Sequence, residues 1–168
     1  MAVFCYDYCM QRKHKKFLIM ALVLGVLLAL FFLFSRSTGD TAPSISFTTK
    51  ASLRDVPLFL GVARNDKERE MGLSYQKELA FNQGLLFLFE DTIPHSIWMK
   101  RMNFPIDVLW LSDTGTILYV KEAFSPDSYP EIVSPNVPAS MVLELSSGFV
   151  RRYQIGVGDQ VIFLEKEL

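Results

Sequence analysis

The chain has 168 residues, of which 17 are Lys or Arg and 18 are Asp or Glu, so its formal net charge is −1. From Lys50 to the C-terminus, 12 basic residues stand against 16 acidic ones, a difference of −4. No basic cluster interleaves with aromatic side chains in this part. Because nucleic-acid binding depends on Lys and Arg that neutralise phosphates, the sequence gives that function no support.

Residues 17–34 (FLIMALVLGVLLALFFLF) carry no charged side chain. Eighteen helical residues span about 27 Å, close to the hydrocarbon thickness of a bilayer. Four of the residues at 12–16 are basic, whereas only Arg36 closely follows the run. The positive-inside rule therefore predicts a single-pass cell-membrane anchor with a cytoplasmic N-terminus and an extracytoplasmic C-terminal part. The alternative is a cleaved signal peptide, which the length of the run and the lack of a small-x-small cleavage site disfavour.

These features predict four segments: a cytoplasmic tail (1–16), the anchor (17–34), a polar linker (35–50) and a β-rich extracytoplasmic domain (51–168). Both cysteines, Cys5 and Cys9, precede the anchor. The exported domain therefore needs no disulfides and must rely on a hydrophobic core, which about 120 residues can supply. His95 is its only histidine. A multi-histidine metal site is thus excluded, and the sequence predicts neither metal nor cofactor.

The domain opens with a predicted strand at 56–63 (VPLFLGVA), followed by a short helix in RNDKEREMG. Asn65 fits the N-cap, Glu68 lies three residues later as in a capping box, and Gly72 ends the helix. The run GLLFLFE at 84–90 predicts a buried strand.

Strands and turns alternate through the rest of the domain. HSIWMK, PIDVLWL and TILYVKEAF predict two or three strands in hairpin order, with SDTG as a turn. Four prolines between 125 and 140 predict an ordered loop without regular structure. SMVLELSS predicts a strand, SGFVRRYQIG a short helix capped by Ser146 or Ser147, and VGDQVIFLE a closing strand. The pattern is that of an α+β, β-rich domain: a small antiparallel barrel or curled sheet with two short helices.

The strand PIDVLWL is apolar on both faces, which predicts a central strand with Asp107 at the start of a buried face. A buried carboxylate needs hydrogen bonds or a cation. Its candidate partners are the cations Lys100, Arg101 and Arg69. The alternative is that Asp107 accepts backbone N–H groups at the hairpin and fixes its register.

Two other features bear on function. Lys100 shares its predicted strand face with Trp98, which places a cation beside an aromatic wall. Asp107 with Glu144 would supply the acidic pair of a hydrolase of the glycosidase kind, in which two carboxyl groups face each other across a groove. His95 as a general base would want a neighbouring nucleophile or carboxylate, which the sequence does not reveal.

The motifs REMGLSY, GLLFLF, IWMKRMNFPIDVLWLSDTG, VPASMVLELSSG and IGVGDQVIF occur in the order found in the domain of unknown function 192 family, also called uncharacterised protein family 0127. Residues 56–165 carry this resemblance. It implies a compact β-rich domain, often behind a signal or anchor, with no established activity. Two positions depart from the family pattern, which usually has Met where Ser74 stands and Asn where Arg101 stands; the second departure puts a shared polar contact there in doubt.

The family's motif positions map onto Arg69, Gly72, Leu73, Gly84, Phe87, Trp98, Met99, Lys100, Pro105, Asp107, Gly115, Pro138, Ala139, Glu144, Gly156, Gly158 and Asp159. Most are glycines, prolines and apolar residues that a fold requires. The charged motif positions are those that a purely structural role explains least well. We therefore predict a ligand-binding cluster of Arg69, Trp98, Lys100, Asp107 and Glu144. The sequence favours a binding module of the bacterial envelope over an enzyme, with a small polar or saccharide ligand or an envelope protein as its partner.

Overall fold

The computed structural model describes residues 20–31 and 45–164. The chain divides into two compact units, one ending at Pro43 and the other beginning at Ser44. In the first unit, residues 20–31 form a helix, α1, whose side chains are exposed. No helix within the described ranges is long and apolar enough to cross a membrane. The predicted tail 1–16 with Cys5 and Cys9, the two ends of the predicted anchor (17–19 and 32–34) and linker residues 35–44 lie outside the described residues.

The second unit is built on strands, in the chain order β1 (Thr49–Leu53), β2 (Val56–Ala63), α2 (Asp66–Met71), β3 (Gln83–Ile93), β4 (Ile97–Trp98), β5 (Ile106–Leu111), β6 (Ile117–Phe124), β7 (Ile132–Val133), β8 (Ala139–Ser146), α3 (Phe149–Tyr153) and β9 (Val161–Phe163). Seven strands form one sheet in the order β6-β5-β8-β3-β2-β1-β9, and β4 pairs with β7 separately. The prediction of a β-rich α+β domain with two short helices is confirmed for this unit.

The two edges of the sheet approach each other at one end. Thr116, just before β6, forms an isolated antiparallel bridge with Gln160, just before β9. Backbone bonds run from Ile117 N to Asp159 O at 2.8 Å and from Val161 N to Gly115 O at 2.9 Å. Gly115 is required here, because a Cβ at that position would lie 2.4 Å from the Val161 carbonyl oxygen. The sheet is therefore curled into a half-barrel. Of the two forms predicted from the sequence, a small barrel or a curled sheet, this is the curled sheet.

One pair of strands departs from the antiparallel prediction. β2 and β3 are parallel, with Phe59 opposite Gln83 and Ala63 opposite Phe87. A parallel pair needs a crossover rather than a hairpin, and α2 with the following loop provides it. The helix begins as predicted: the Asn65 side chain accepts from Glu68 N. The Glu68 carboxylate accepts from Arg64 N at 2.7 Å, and that bond lowers the pKa of Glu68.

β5 lies between β6 and β8, and all six of its residues are buried. Leu109 and Leu111 join the core on one face of the sheet, which α3 closes with Phe149. Val108 and Trp110 join a second core on the opposite face. The predicted central strand is confirmed, and side chains that alternate along it enter two different cores.

Three local predictions were wrong. The segment HSIWMK does form a strand, β4, but that strand pairs with β7, with Trp98 opposite Ile132, and not with β5 as the predicted hairpin order requires. Conversely, the proline-rich stretch 125–140 holds a 3₁₀ turn at Pro126–Ser128 and β7, since residues 132–133 lie between prolines and keep their N–H groups. Finally, α3 is capped by Gly148 and not by either serine.

Candidate functional site

A cleft of about 400 Å³ lies between α2, β4 and the second-core face of the sheet. Aromatic and apolar side chains make most of its wall: Met71, Phe87, Phe89, Trp98, Met102 and Ile132. Clefts of this volume, mostly apolar with a few placed polar groups, are typical of small-molecule sites.

Four of the five predicted site residues converge on this cleft. Arg69 comes from α2, Trp98 from β4, Lys100 from the turn after β4, and Glu144 from β8. Asp107 does not line the cleft. The predicted cluster is therefore assembled apart from one member, although whether it binds a ligand stays a prediction.

Trp98 and Lys100 lie at the rim. The Trp98 side chain is 41% exposed, unusual for so large an apolar group. The Lys100 ammonium lies 5.5 Å from the centre of the Trp98 ring, the predicted cation beside an aromatic wall. Its Nζ is also 3.8 Å from a Glu70 carboxylate oxygen. Lys100 therefore already has an anionic partner.

The Arg69 guanidinium is occupied by the protein itself. Nη1 donates to the carbonyls of Leu88 at 2.7 Å and Arg64 at 2.9 Å. Nη2 donates to Asp66 at 2.5 Å. The group also stacks over Phe89, 5.2 Å from the ring centre. Because these contacts join α2 to β3, Arg69 holds the cleft wall in place, and three of its five N–H donors are engaged within the protein.

Glu144 lies at the floor of the cleft, 4% exposed. Its Oε2 is fully enclosed and has no hydrogen-bond partner among the described residues. Burial raises the pKa of Glu144 to about 8, so the group is largely protonated at neutral pH. Gly72 faces it, since a Cβ there would be 3.9 Å from Oε2. A buried polar atom without a partner is rare enough in folded proteins to call for an explanation.

Asp107 is fully buried on the opposite face of the sheet. Oδ1 accepts from Ala123 N and Oδ2 from Val150 N, each at 2.9 Å. The first bond lies where the register between β5 and β6 shifts, next to Ala123, whose φ is positive at 48°. It therefore stabilises the local bulge in this pair of strands. The second reaches the first turn of α3, whose N-cap Gly148 has no side chain to accept a cap bond. Asp107 is thus the capping group of that helix, supplied from another strand.

The three cations predicted as partners of Asp107 contact other groups. Lys100 pairs with Glu70, Arg101 with Tyr75 and Arg69 with Asp66. The alternative, that backbone N–H groups satisfy Asp107, is what the geometry shows.

The acidic pair of the hydrolase alternative does not form. Asp107 stands opposite Leu145 in the β5–β8 register, whereas Glu144 stands opposite Val108. Side chains of adjacent strand residues point to opposite faces. The sheet therefore separates the two carboxyl groups, and they share no groove. Nor does the described part of the chain bring together three or more His, Cys, Asp or Glu residues that could hold a metal ion.

Sequence reasoning missed most of the cleft wall. Phe89 was detectable, because it lies two residues after Phe87 on the same face of β3. Met102 and Ile132 come from a turn and from the proline-rich stretch, where no periodicity marks a common face. His95 is not in the cleft wall; its ring stacks on Phe89 with 3.4 Å between centres, and its carbonyl accepts from Trp110 Nε1 at 2.8 Å.

Fold and site together define a small β-rich domain with a curled mixed sheet and an apolar cleft on one of its faces. The family model DUF192, described as Uncharacterized ACR, matches residues 48–163. The chain therefore belongs to that family, which confirms the resemblance carried by its motifs.

Two solved structures share this fold. One, from Sinorhizobium meliloti 1021, is named as a proposed transcription regulator; it is 30% identical, and the match covers 72% of this chain and 98% of that one with a TM-score of 0.66. The other is a protein of unknown function from Novosphingobium aromaticivorans DSM 12444, 20% identical, with 74% and 96% coverage and a TM-score of 0.63. No curated protein matches the chain.

Proposed function

We propose that this domain is a binding module that takes a small molecule into the cleft between α2, β4 and the sheet. The observation that carries the proposal is Glu144, a buried carboxyl group without a partner at the floor of an aromatic-walled cleft. Burying a polar group without a hydrogen bond costs free energy that an apolar side chain of similar size would not. A ligand that meets this group would recover that cost.

The lining favours a ligand with an apolar body. Both cations at the cleft already have a carboxylate neighbour, since Arg69 pairs with Asp66 and Lys100 Nζ lies 3.8 Å from Glu70. A saccharide needs many hydrogen-bonding groups around it, and the walls offer mainly Phe, Met and Trp. The concave shape also suits a small molecule better than the flat face of an envelope protein, the other partner that the sequence left open.

The location of the domain is a further part of the proposal. The uncharged run 17–34 and the basic residues before it support an anchor that leaves the domain outside the cytoplasm. The size of the membrane-extracted protein tests this point. A mature form about 35 residues shorter would mean that the run is a cleaved signal peptide.

Ligand binding is tested on the full-length chain in lipid nanodiscs, because a detergent would itself enter an apolar cleft. The unfolding midpoint is measured with a panel of monosaccharides, ketones, alcohols and aromatic amines. A ligand at 100 times its Kd stabilises by about 2.7 kcal/mol, which raises the midpoint of a domain this size by roughly 10 °C.

The matched variants are Trp98→Ala, which removes part of the rim, and Phe59→Ala, which removes an aromatic residue of similar exposure on β2 (38% against 41%). We expect Trp98→Ala to abolish the ligand-induced rise and Phe59→Ala to retain it. Equal responses of the two variants would place binding outside the cleft and refute the proposal.

A further inference from the structure

We infer that the cleft selects an uncharged ligand, an apolar molecule whose oxygen acceptor receives a hydrogen bond from the Glu144 carboxyl group at the floor. The inference rests on the proposed function, since it names the class of ligand for the same cleft. Three properties of the cleft support it: the state of Glu144, the cations that cover the aromatic walls, and the pairing of those cations with carboxylates.

Glu144 has no neighbour that would stabilise a negative charge. An ionised carboxyl group at this depth would need N–H donors or a cation. Lys100 pairs with Glu70 at the rim, and three donors of Arg69 go to two carbonyls and to Asp66. Neither cation forms a contact with Glu144, and Oε2 has no hydrogen-bond partner among the described residues. Glu144 is therefore a neutral acid in the free protein, and a neutral acid carries one O–H donor.

The charges around the cleft disfavour a cationic ligand. Aromatic walls attract ammonium groups, but the protein's own cations already cover them: Arg69 lies 5.2 Å from the centre of Phe89, and Lys100 lies 5.5 Å from that of Trp98. An incoming cation would meet both. The charged groups at the rim, Asp66 and Glu70 against Arg69 and Lys100, balance to zero. No surplus negative field draws a cation in.

An anionic ligand is disfavoured because the two cations of the cleft already have carboxylate neighbours. An anionic group at the floor would lose its own water without gaining a cation, since Arg69 and Lys100 are both paired. A carbonyl, ether or hydroxyl oxygen avoids this cost. It accepts the Glu144 proton while the carbon skeleton contacts apolar lining residues such as Phe87 and Met102.

The test uses three probes with one carbon skeleton: butylbenzene, its ketone benzylacetone, and the primary amine obtained by replacing the carbonyl oxygen. Binding to the full-length chain in nanodiscs is measured by equilibrium dialysis against empty nanodiscs, which corrects for uptake by lipid. A hydrogen bond made in a dry site predicts that the ketone binds about 3- to 10-fold more tightly than butylbenzene at pH 7.

Two variants isolate the carboxyl group. Glu144→Gln keeps an N–H donor, so we expect the ketone to retain its advantage. Glu144→Leu has none, so the two probes should bind equally. In the wild type the affinity for the ketone should fall as the pH rises from 7 to above 8, whereas in Glu144→Gln it should stay constant.

The outcomes separate the two proposals. If none of the probes binds and the wider panel also leaves the unfolding midpoint unchanged, the proposed function fails together with the inference. If butylbenzene binds as tightly as the ketone to the wild type, the cleft binds ligands but Glu144 does not select them. If the amine binds most tightly and Glu144→Gln abolishes this, the floor recognises a cation and the inference is overturned.

Discussion

Replacing Asp107 by Asn should destabilise the domain strongly, because one carboxyl group joins three elements. From β5 it holds Ala123 N of β6 through Oδ1 and Val150 N of α3 through Oδ2. Asn has only one oxygen, and its NH₂ group would point at the second N–H. One backbone donor would then remain buried without a partner.

The magnitude follows from two contributions. A hydrogen bond to a charged group contributes about 1.5–3 kcal/mol, and a buried unsatisfied N–H costs about 1–3 kcal/mol. Their sum, roughly 2.5–6 kcal/mol, corresponds to a fall in the unfolding midpoint of roughly 10–25 °C for a domain of this size. The first turn of α3 should loosen first, because Gly148 offers no substitute cap.

The assay is thermal and urea unfolding of the full-length chain at pH 7. Asp113→Asn is the matched control, because Asp113 is exposed in the turn between β5 and β6 and should change stability by less than about 0.5 kcal/mol. If Asp107→Asn were as stable as this control, the carboxyl group would not be the connection that its two bonds indicate.

Two further substitutions test the packing around the cleft. Burial raises the pKa of Glu144 from 4.5 to about 8, so the free energy of unfolding should be highest below pH 4.5 and should fall by roughly 5 kcal/mol in total as the pH rises to 8. Glu144→Gln should remove this dependence on pH and leave the protein more stable than the wild type at pH 8. If urea unfolding showed the same pH dependence in the variant, the assignment of the effect to Glu144 would be refuted. A Cβ at Gly84 would lie 2.8 Å from the Glu144 carbonyl oxygen and 2.8 Å from Leu145, whereas one at Gly156 would meet nothing within 4 Å. Gly84→Ala should therefore cost about 1–3 kcal/mol of unfolding free energy and Gly156→Ala almost none, and equal values for the two would show that β3 can move away from β8 without cost.

Much of the fold was predictable because local chemistry determines it. Asn65, Glu68 and Gly72 specify the start and end of α2, and the apolar residues on both faces of β5 require a central strand. The parallel pairing of β2 with β3 was not predictable in the same way. It depends on where the chain returns after α2, which is a tertiary choice that leaves no mark on either strand.

The site was predictable as a set of residues but not as a geometry. The charged positions among the family's motifs marked Arg69, Lys100 and Glu144, and the structure brings them to one cleft. The same signal also marked Asp107, because a buried carboxyl group looks alike in sequence whether backbone or ligand satisfies it. Side chains alternate between the two faces along β5 and β8, so the register between these strands decides whether Asp107 and Glu144 share a face. The sequence does not contain that register.

Asp107 and Glu144 therefore make an informative comparison. They lie on adjacent strands, one register step apart, in equally apolar surroundings. Asp107 has a backbone N–H on each oxygen, so structure alone accounts for it. Glu144 lines the cleft and has an enclosed oxygen with no partner among the described residues. A group that costs stability as the pH rises and satisfies nothing inside the fold is most simply explained by a ligand that enters the cleft, and for that reason ligand screening should begin at Glu144 and not at Asp107.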